Sequence, residues 1–498
     1  GLPGSPVAAT LSASEEMSNV MSAGTVGFAI LILGLFLLIG KIIRVKTPAV
    51  QKLFLPSSII GGFILLFLGP QVFGKIGGPE NGLFTGDMLA VWATLPGLLI
   101  SIVFATLFLG KELPKPKQAA ELAGPQLSLG IALGAGQYMV ALFLAVIILV
   151  PLLDAEPMVG ALLEMGFEGG HGTAAGMRGA LEDVGYESGA DIAIGIATVG
   201  VVGGILIGII LINWAVRTGR TQIVKGNVEA SIDEQKGLYA EDEHYPAGEL
   251  TSRPASVEPL SLHASLVAIS ILLGWLLLEA LKWIEGATYG DSFELFTFVP
   301  LFPLAMLGGV LVQYTAEKFG VDRLIDDQMM LRIQGLALDF LIIAALATLS
   351  LEAIGNNIGS FVILCVFGIT LNVGLLLWLA PRVIPDYWFE RGIGDFGQSM
   401  GVTATGLILM RIVDPDAESP AFEAFGYKQL VFEPFFGGGL ITAAAVPIIF
   451  QTGPYYLLIA MTILFFTAVG GGLWLFGPAA KEARAREKEA ADSSTADA

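Results

Sequence analysis

The residues with the most chemistry to offer stand in two glycine-rich stretches set among apolar runs. The first is Glu168-Gly169-Gly170-His171-Gly172-Thr173, continuing to Gly176. The second runs from Gly392 to Gly406 and holds Asp395, Gln398, Ser399, Thr403 and Thr405. Each has too many glycines for a steady helix, since Gly costs about 1 kcal/mol against Ala in a helix interior. Each has too little polarity for a surface loop. Backbone broken at membrane depth persists only where protein buries it or water lines it, so both read as binding loops. Freed carbonyls and the hydroxyls of Thr173, Thr403 and Thr405 are oxygen donors that suit sodium, and broken-helix N-termini suit a carboxylate. The plainer reading of the threonines is back-bonding within a helix.

Carboxylates sharpen the picture. Glu164 and Glu168 are four apart and share a face if their segment is helical. An ionisable group inside a membrane is a functional hypothesis by default, and desolvation requires that it be paired or protonated. Arg178 in the same loop and Arg411 in the other are the candidate partners. Asp395 resembles Glu168 in its setting, while Asp339 and Glu433 stand at other apolar positions. Thr173, Thr403, Asp395, Asp339 and Glu433 form the candidate sodium-ligand set. His171 is the only histidine within an apolar segment. It reads as a site residue, as a hydrogen-bonded packing residue, or as a titrating group. The pair Gly203-Gly204 reads as a close helix contact.

The elements that must position these residues are membrane helices. Of 498 residues 54% are hydrophobic and only 14% charged, with mean hydropathy +0.74, whereas soluble domains carry about 25% charge. A β-barrel would instead show alternating segments of about ten residues. The expected class is therefore an all-α polytopic membrane protein. The single cysteine, Cys365, excludes an internal disulfide and a cysteine metal cluster. The net charge of −19 argues against a nucleic-acid partner. No nucleophile–base pair or metal-ligand spacing points to an enzyme, and no cofactor is expected. No basic region precedes the first apolar run, so no cleavable signal is expected, and Gly1–Ser5 reads as a cloning remnant.

Apolar spans fall near 24–40, 57–74, 89–109, 127–151, 191–216, 263–283, 296–316, 333–352, 360–380, 429–450 and 455–477. Lys and Arg cluster after the first, third, fifth, seventh, ninth and eleventh. The positive-inside rule then places the N-terminus outside and the C-terminus in the cytoplasm. The chain divides into an extracytoplasmic segment 1–23, a first repeat 24–216 with a re-entrant loop 159–180, and an acidic cytoplasmic linker 217–262. A second repeat 263–450 follows with a re-entrant loop 391–413, then an extra span 451–477 and a charged tail 478–498. The halves enter the membrane from opposite sides, which makes them inverted-topology repeats with a site at their interface. Gly172–Gly176 echoes Val402–Gly406, and Gly185-Tyr186 echoes Gly426-Tyr427.

At the two loops the chain resembles the bacterial sodium:glutamate symporter family. The family's Ser-Gly-Gly-His-Gly-Thr is similar to Glu168–Thr173, and its Gly-x-Gly-x-Thr-x-Thr-like core to Ser399–Thr405. The likeness covers about residues 24–450. It implies an inverted-repeat homodimer of the bacterial inner membrane, coupled to Na+, that moves an acidic amino acid. Glu168 stands where the family has Ser, and Asp395 where it has His. A pocket for an anionic substrate should not gain such charge without a matching cation. The expected function is sodium-coupled symport of glutamate or a related small carboxylate. The alternative is a sodium- or proton-coupled carrier of another solute, with Glu168 or Asp395 titrating.

Overall fold

The computed structural model describes residues 22–52, 55–111, 116–224, 238–239, 245–290, 293–415 and 418–496. The expectations for residues 1–21, for linker residues 225–237 and 240–244 and for the last two residues lie outside these. All regular structure among the described residues is helical. The chain opens with α1 (Ala23–Lys46), α2 (Ser57–Leu68), α3 (Gly86–Ala105) and α4 (Pro116–Leu144), the last prolonged to Leu153 through a wide turn. Two short helices, α5 (Leu162–Phe167) and α6 (Gly170–Gly176), precede α7 (Gly189–Arg217). The second half runs α8 (Pro259–Thr288), α9 (Leu301–Phe319), α10 (Asp327–Ala347), α11 (Ile358–Trp378) and α12 (Trp388–Val413). It closes with α13 (Ala421–Phe432), α14 (Leu440–Thr452), α15 (Pro454–Leu475) and α16 (Gly477–Ala496).

Side-chain caps start several helices by meeting N–H groups that lack an intrahelical partner. Ser22 Oγ accepts from Thr25 N at 3.1 Å, and Asp326 Oδ1 from Met329 N at 2.8 Å. Glu258 accepts from Ser261 N at 2.6 Å, and that bond holds its carboxyl below the ordinary range. Nine helices among the described residues are long and apolar enough to cross a membrane. Eight of them match expected spans; the ninth is α12, where a re-entrant loop was expected.

α12 is two arms. Gly401 (φ −151°) and Val402 (φ +62°) interrupt it. A Cβ on Gly397 would stand 2.7 Å from Gly406 Cα, and one on Gly394 2.8 Å from Met410 Cγ. Residues nine and sixteen apart in one straight helix could not touch, because each residue advances about 1.5 Å. The chain therefore doubles back at 401–402, and Trp388–Met400 lies along Thr403–Val413.

The expected single span at 429–450 also differs. It is α13 and α14, separated by a turn in which Gly437 and Gly438 take φ of +67° and +107°. The span expected at 57–74 ends as a helix at Leu68. Arg391, one of the basic residues that follow the ninth apolar span, is buried: its Nε donates to Gln126 Oε1 at 3.1 Å and its Nη2 to Leu122 O at 2.8 Å.

The packing pairs follow a pattern. α1 packs on α2 as α8 packs on α9, and α2 packs on α10 as α9 packs on α3. α3 packs on α10, and α4 on α11. α5, α6 and α12 all lie against α7, and α13 lies against α4 and α12.

Candidate functional site

The site forms where three interruptions of helix meet. On α7, Gly200, Gly204 and Gly208 recur every four residues and present one face. A Cβ on Gly200 would run into Met400 O, one on Gly204 would stand 2.9 Å from Met400 Cβ, and one on Gly208 would press on Leu409. That glycine face lets both arms of α12 lie close, so Gly204 is a helix contact as its sequence setting indicated. The tip of α12 then reaches the break between α5 and α6. Gly170 there has φ +68°, and a Cβ on it would collide with Val402 Cγ1.

Across this junction Ser399 Oγ donates to Glu168 Oε1 at 2.6 Å. Glu168 is buried, and its Oε2 has no hydrogen-bond partner among the described residues. Ser399 O, one of the carbonyls freed where the first arm ends, accepts from Gln137 Nε2 and Asn372 Nδ2, each at 2.8 Å. These two come from α4 and α11, which pack on each other.

The third interruption is the Gly437-Gly438 turn. Glu164 Oε1 accepts from Gly437 N at 2.7 Å and Thr442 Oγ1 at 2.9 Å, and its Oε2 from Tyr138 Oη at 2.7 Å. Thr173 Oγ1 donates to Gly437 O at 3.3 Å. Glu164 is thus fully met by neutral donors and ties the α13–α14 turn to α5.

The counter-charge is Lys428 of α13, not Arg178 or Arg411. Lys428 and Asp395 are both fully buried, with Nζ 3.3 Å from Oδ1. Lys428 also donates to Gln398 Oε1 and to Gln429 Oε1 (3.0 Å), and lies 4.1 Å from the Phe432 ring centroid. Arg178 instead pairs with Asp191 at 2.8 Å, and Arg411 is exposed. Lys428 carries a sequence signal: Phe425 and Phe432, three before and four after it, fall on its own helix face.

The remaining candidates separate. Thr403 Oγ1 accepts from Gln429 Nε2 at 2.7 Å and donates to Glu433 Oε1 at 3.1 Å, beside a second bond from Gln429 to Glu433 at 2.8 Å. Thr405 is spent on Gly401 O at 2.5 Å, the back-bonding geometry. Thr198 donates to Ile194 O, so at 2.9 Å it accepts from His171, whose Nε2 carries the proton. Gly169 and Gly172 are packing positions, against Thr173 and Met165 and against Ile100. Asp339 is exposed on α10 and does not join the others. Among the described residues no three His, Cys, Asp or Glu side chains gather as metal ligands.

The sequence model of the sodium/glutamate symporter family matches residues 23–413. The chain belongs to that family. As a symporter-family member it is a transporter by kinship, and the match spans both interrupted elements at the junction. It stops at Val413, short of residue 450. Lys428, Gln429, Glu433 and the Gly437-Gly438 turn, which complete the site of this symporter relative, lie past the matched stretch. No curated protein matches the chain.

Proposed function

We propose that the chain is a secondary active transporter that couples Na+ to the movement of glutamate or a related small carboxylate. The observation that carries this reading is the tip-to-tip meeting of two interrupted helices at Gly170 and Val402, bridged by Glu168 and Ser399. Irregular backbone facing polar side chains in a membrane core is a substrate and ion site in many carriers. Family membership supports sodium as the coupling ion and glutamate as the solute. The mirrored packing pairs, α1–α2 with α8–α9 and α2–α10 with α9–α3, support inverted repeats. In this reading α5–α6 and α12 are re-entrant from opposite sides, the protein sits in the inner membrane with its C-terminus in the cytoplasm, and two copies form a homodimer.

Sodium at the junction would draw on Glu168 and nearby freed carbonyls, and the substrate would bind more tightly to the loaded state. Coupling requires that difference in affinity. A second reading has a specific support of its own: Glu168 Oε2 is buried and unpartnered. A proton or a solute cation there would make the protein a carrier of a different small solute. Labelled L-glutamate uptake into proteoliposomes, with and without an inward sodium gradient, decides. Concentrative, sodium-dependent uptake is expected; no uptake by folded protein rejects glutamate and moves the second reading forward.

A further inference from the structure

Lys428 has the surroundings of a bound monovalent cation. Three oxygens stand around its ammonium: it donates to Gln398 Oε1 and to Gln429 Oε1 at 3.0 Å, and Asp395 Oδ1 lies 3.3 Å away as an ion contact. The Phe432 ring closes a further side at 4.1 Å, and ring faces attract cations. A lysine that merely lined a helix surface would run its stem outward and keep its head in water. This one is fully buried. Its stem is given room by Gly130 of α4, where a Cβ would collide with Lys428 Cε.

The oxygens around it come from two elements. Asp395 and Gln398 lie on the first arm of α12, and Gln429 on α13. Hard oxygen donors from two packed elements are also what a free monovalent cation would use, with the carboxylate supplying the charge. Both Asp395 oxygens are buried without a hydrogen-bond partner among the described residues, so the 3.3 Å ion contact with Lys428 is what meets the carboxylate.

We infer that Lys428 is a tethered cation filling a monovalent-cation seat formed by Asp395, Gln398 and Gln429, and that removing its ammonium opens that seat to free monovalent cations. Asp395 is then neutralised in every state of the protein and is not where the coupling ion binds. That last consequence rests on the transport reading above; the seat itself does not.

The test uses the purified full chain and reads ion binding as thermal stabilisation, with choline replaced by methylammonium or by sodium. Methylammonium has the head group of a lysine side chain. The midpoint of K428A rises by about 2 °C or more once methylammonium is ten times its dissociation constant, while wild type, its seat occupied, does not respond. Adding D395N to K428A abolishes the response. A K428A protein that folds only with methylammonium or sodium present supports the seat. A K428A protein that is unfolded in every salt, or folded and indifferent to both ions, overturns it. So does an equal response in the double variant, which would place the ion elsewhere. Glutamate uptake is not read, so a wrong substrate assignment leaves the result standing.

Discussion

Gly170 and Val402 confront each other with left-handed backbones, φ +68° and +62°, one in each interrupted element. Glycine holds that conformation freely; a β-branched residue does so at a cost of about 1–3 kcal/mol. The close approach needs a missing Cβ on one side, and Gly170 supplies it.

Two substitutions separate strain from contact. G170A adds both a Cβ clash with Val402 and a left-handed penalty of about 1–2 kcal/mol. It should lower the thermal midpoint and abolish uptake. V402G removes the strain and should raise the midpoint, while transport changes because the tip loses its contact. A lowered midpoint in V402G would show that the packing of Val402 outweighs its backbone strain.

The bond from Ser399 to Glu168 joins the two tips directly. S399A should cost about 1–3 kcal/mol, because it leaves a buried oxygen of Glu168 without its donor. E168Q keeps an oxygen to accept from Ser399 but can no longer ionise. It should fold normally and lose or alter ion dependence of uptake. Unchanged ion coupling in E168Q would remove Glu168 from the coupling site.

Glu164 is a positioning residue, since three neutral donors consume both its oxygens. E164A strands the Gly437 N–H and two hydroxyls, and should lower stability by about 3 kcal/mol or more. Y138F removes a single donor and should cost about 1–2 kcal/mol. Denaturation of the two variants side by side checks this order. A smaller loss in E164A than in Y138F would contradict the arrangement.

Arg178 pairs with Asp191, which also accepts from Ser350 N at 3.1 Å, and so fastens α7 to the turn before Leu351. R178A should reduce stability modestly and leave the apparent affinity for substrate unchanged. A large rise in KM with unchanged stability would return Arg178 to the binding site.

The long apolar helices and the two glycine-rich interruptions were readable because each is written in a contiguous stretch. Eight expected spans match long helices, and Glu168, Ser399 and Gly170 meet at one junction. What escaped was set by distant neighbours. The burial of Lys428 depends on Gly130, almost three hundred positions away, and on Asp395. Tyr427-Lys428-Gln429 looks like an ordinary amphipathic turn, and Phe425 and Phe432 mark the apolar face of Lys428 without naming what it meets there. The break between α13 and α14 was foreshadowed by Pro434 and three glycines, but hydropathy alone runs smoothly across them. Asp339 shows the converse: its apolar neighbours suggested burial, yet the face of α10 that carries it is open.

The bonds around the junction ignore the boundary between the halves of the chain. Glu164 and Glu168 belong to the first half and are met by Gly437, Thr442 and Ser399 of the second. At the other end, Glu390 of the second half accepts from Gln222 N at 2.5 Å and Ile223 N at 3.2 Å, just past α7. Each half alone would leave carboxylates and broken backbone facing lipid, where unmet polar groups are untenable. Such an interlocked core belongs to a molecule whose two pieces, separately synthesised, would have to find each other before the polar groups of either were met.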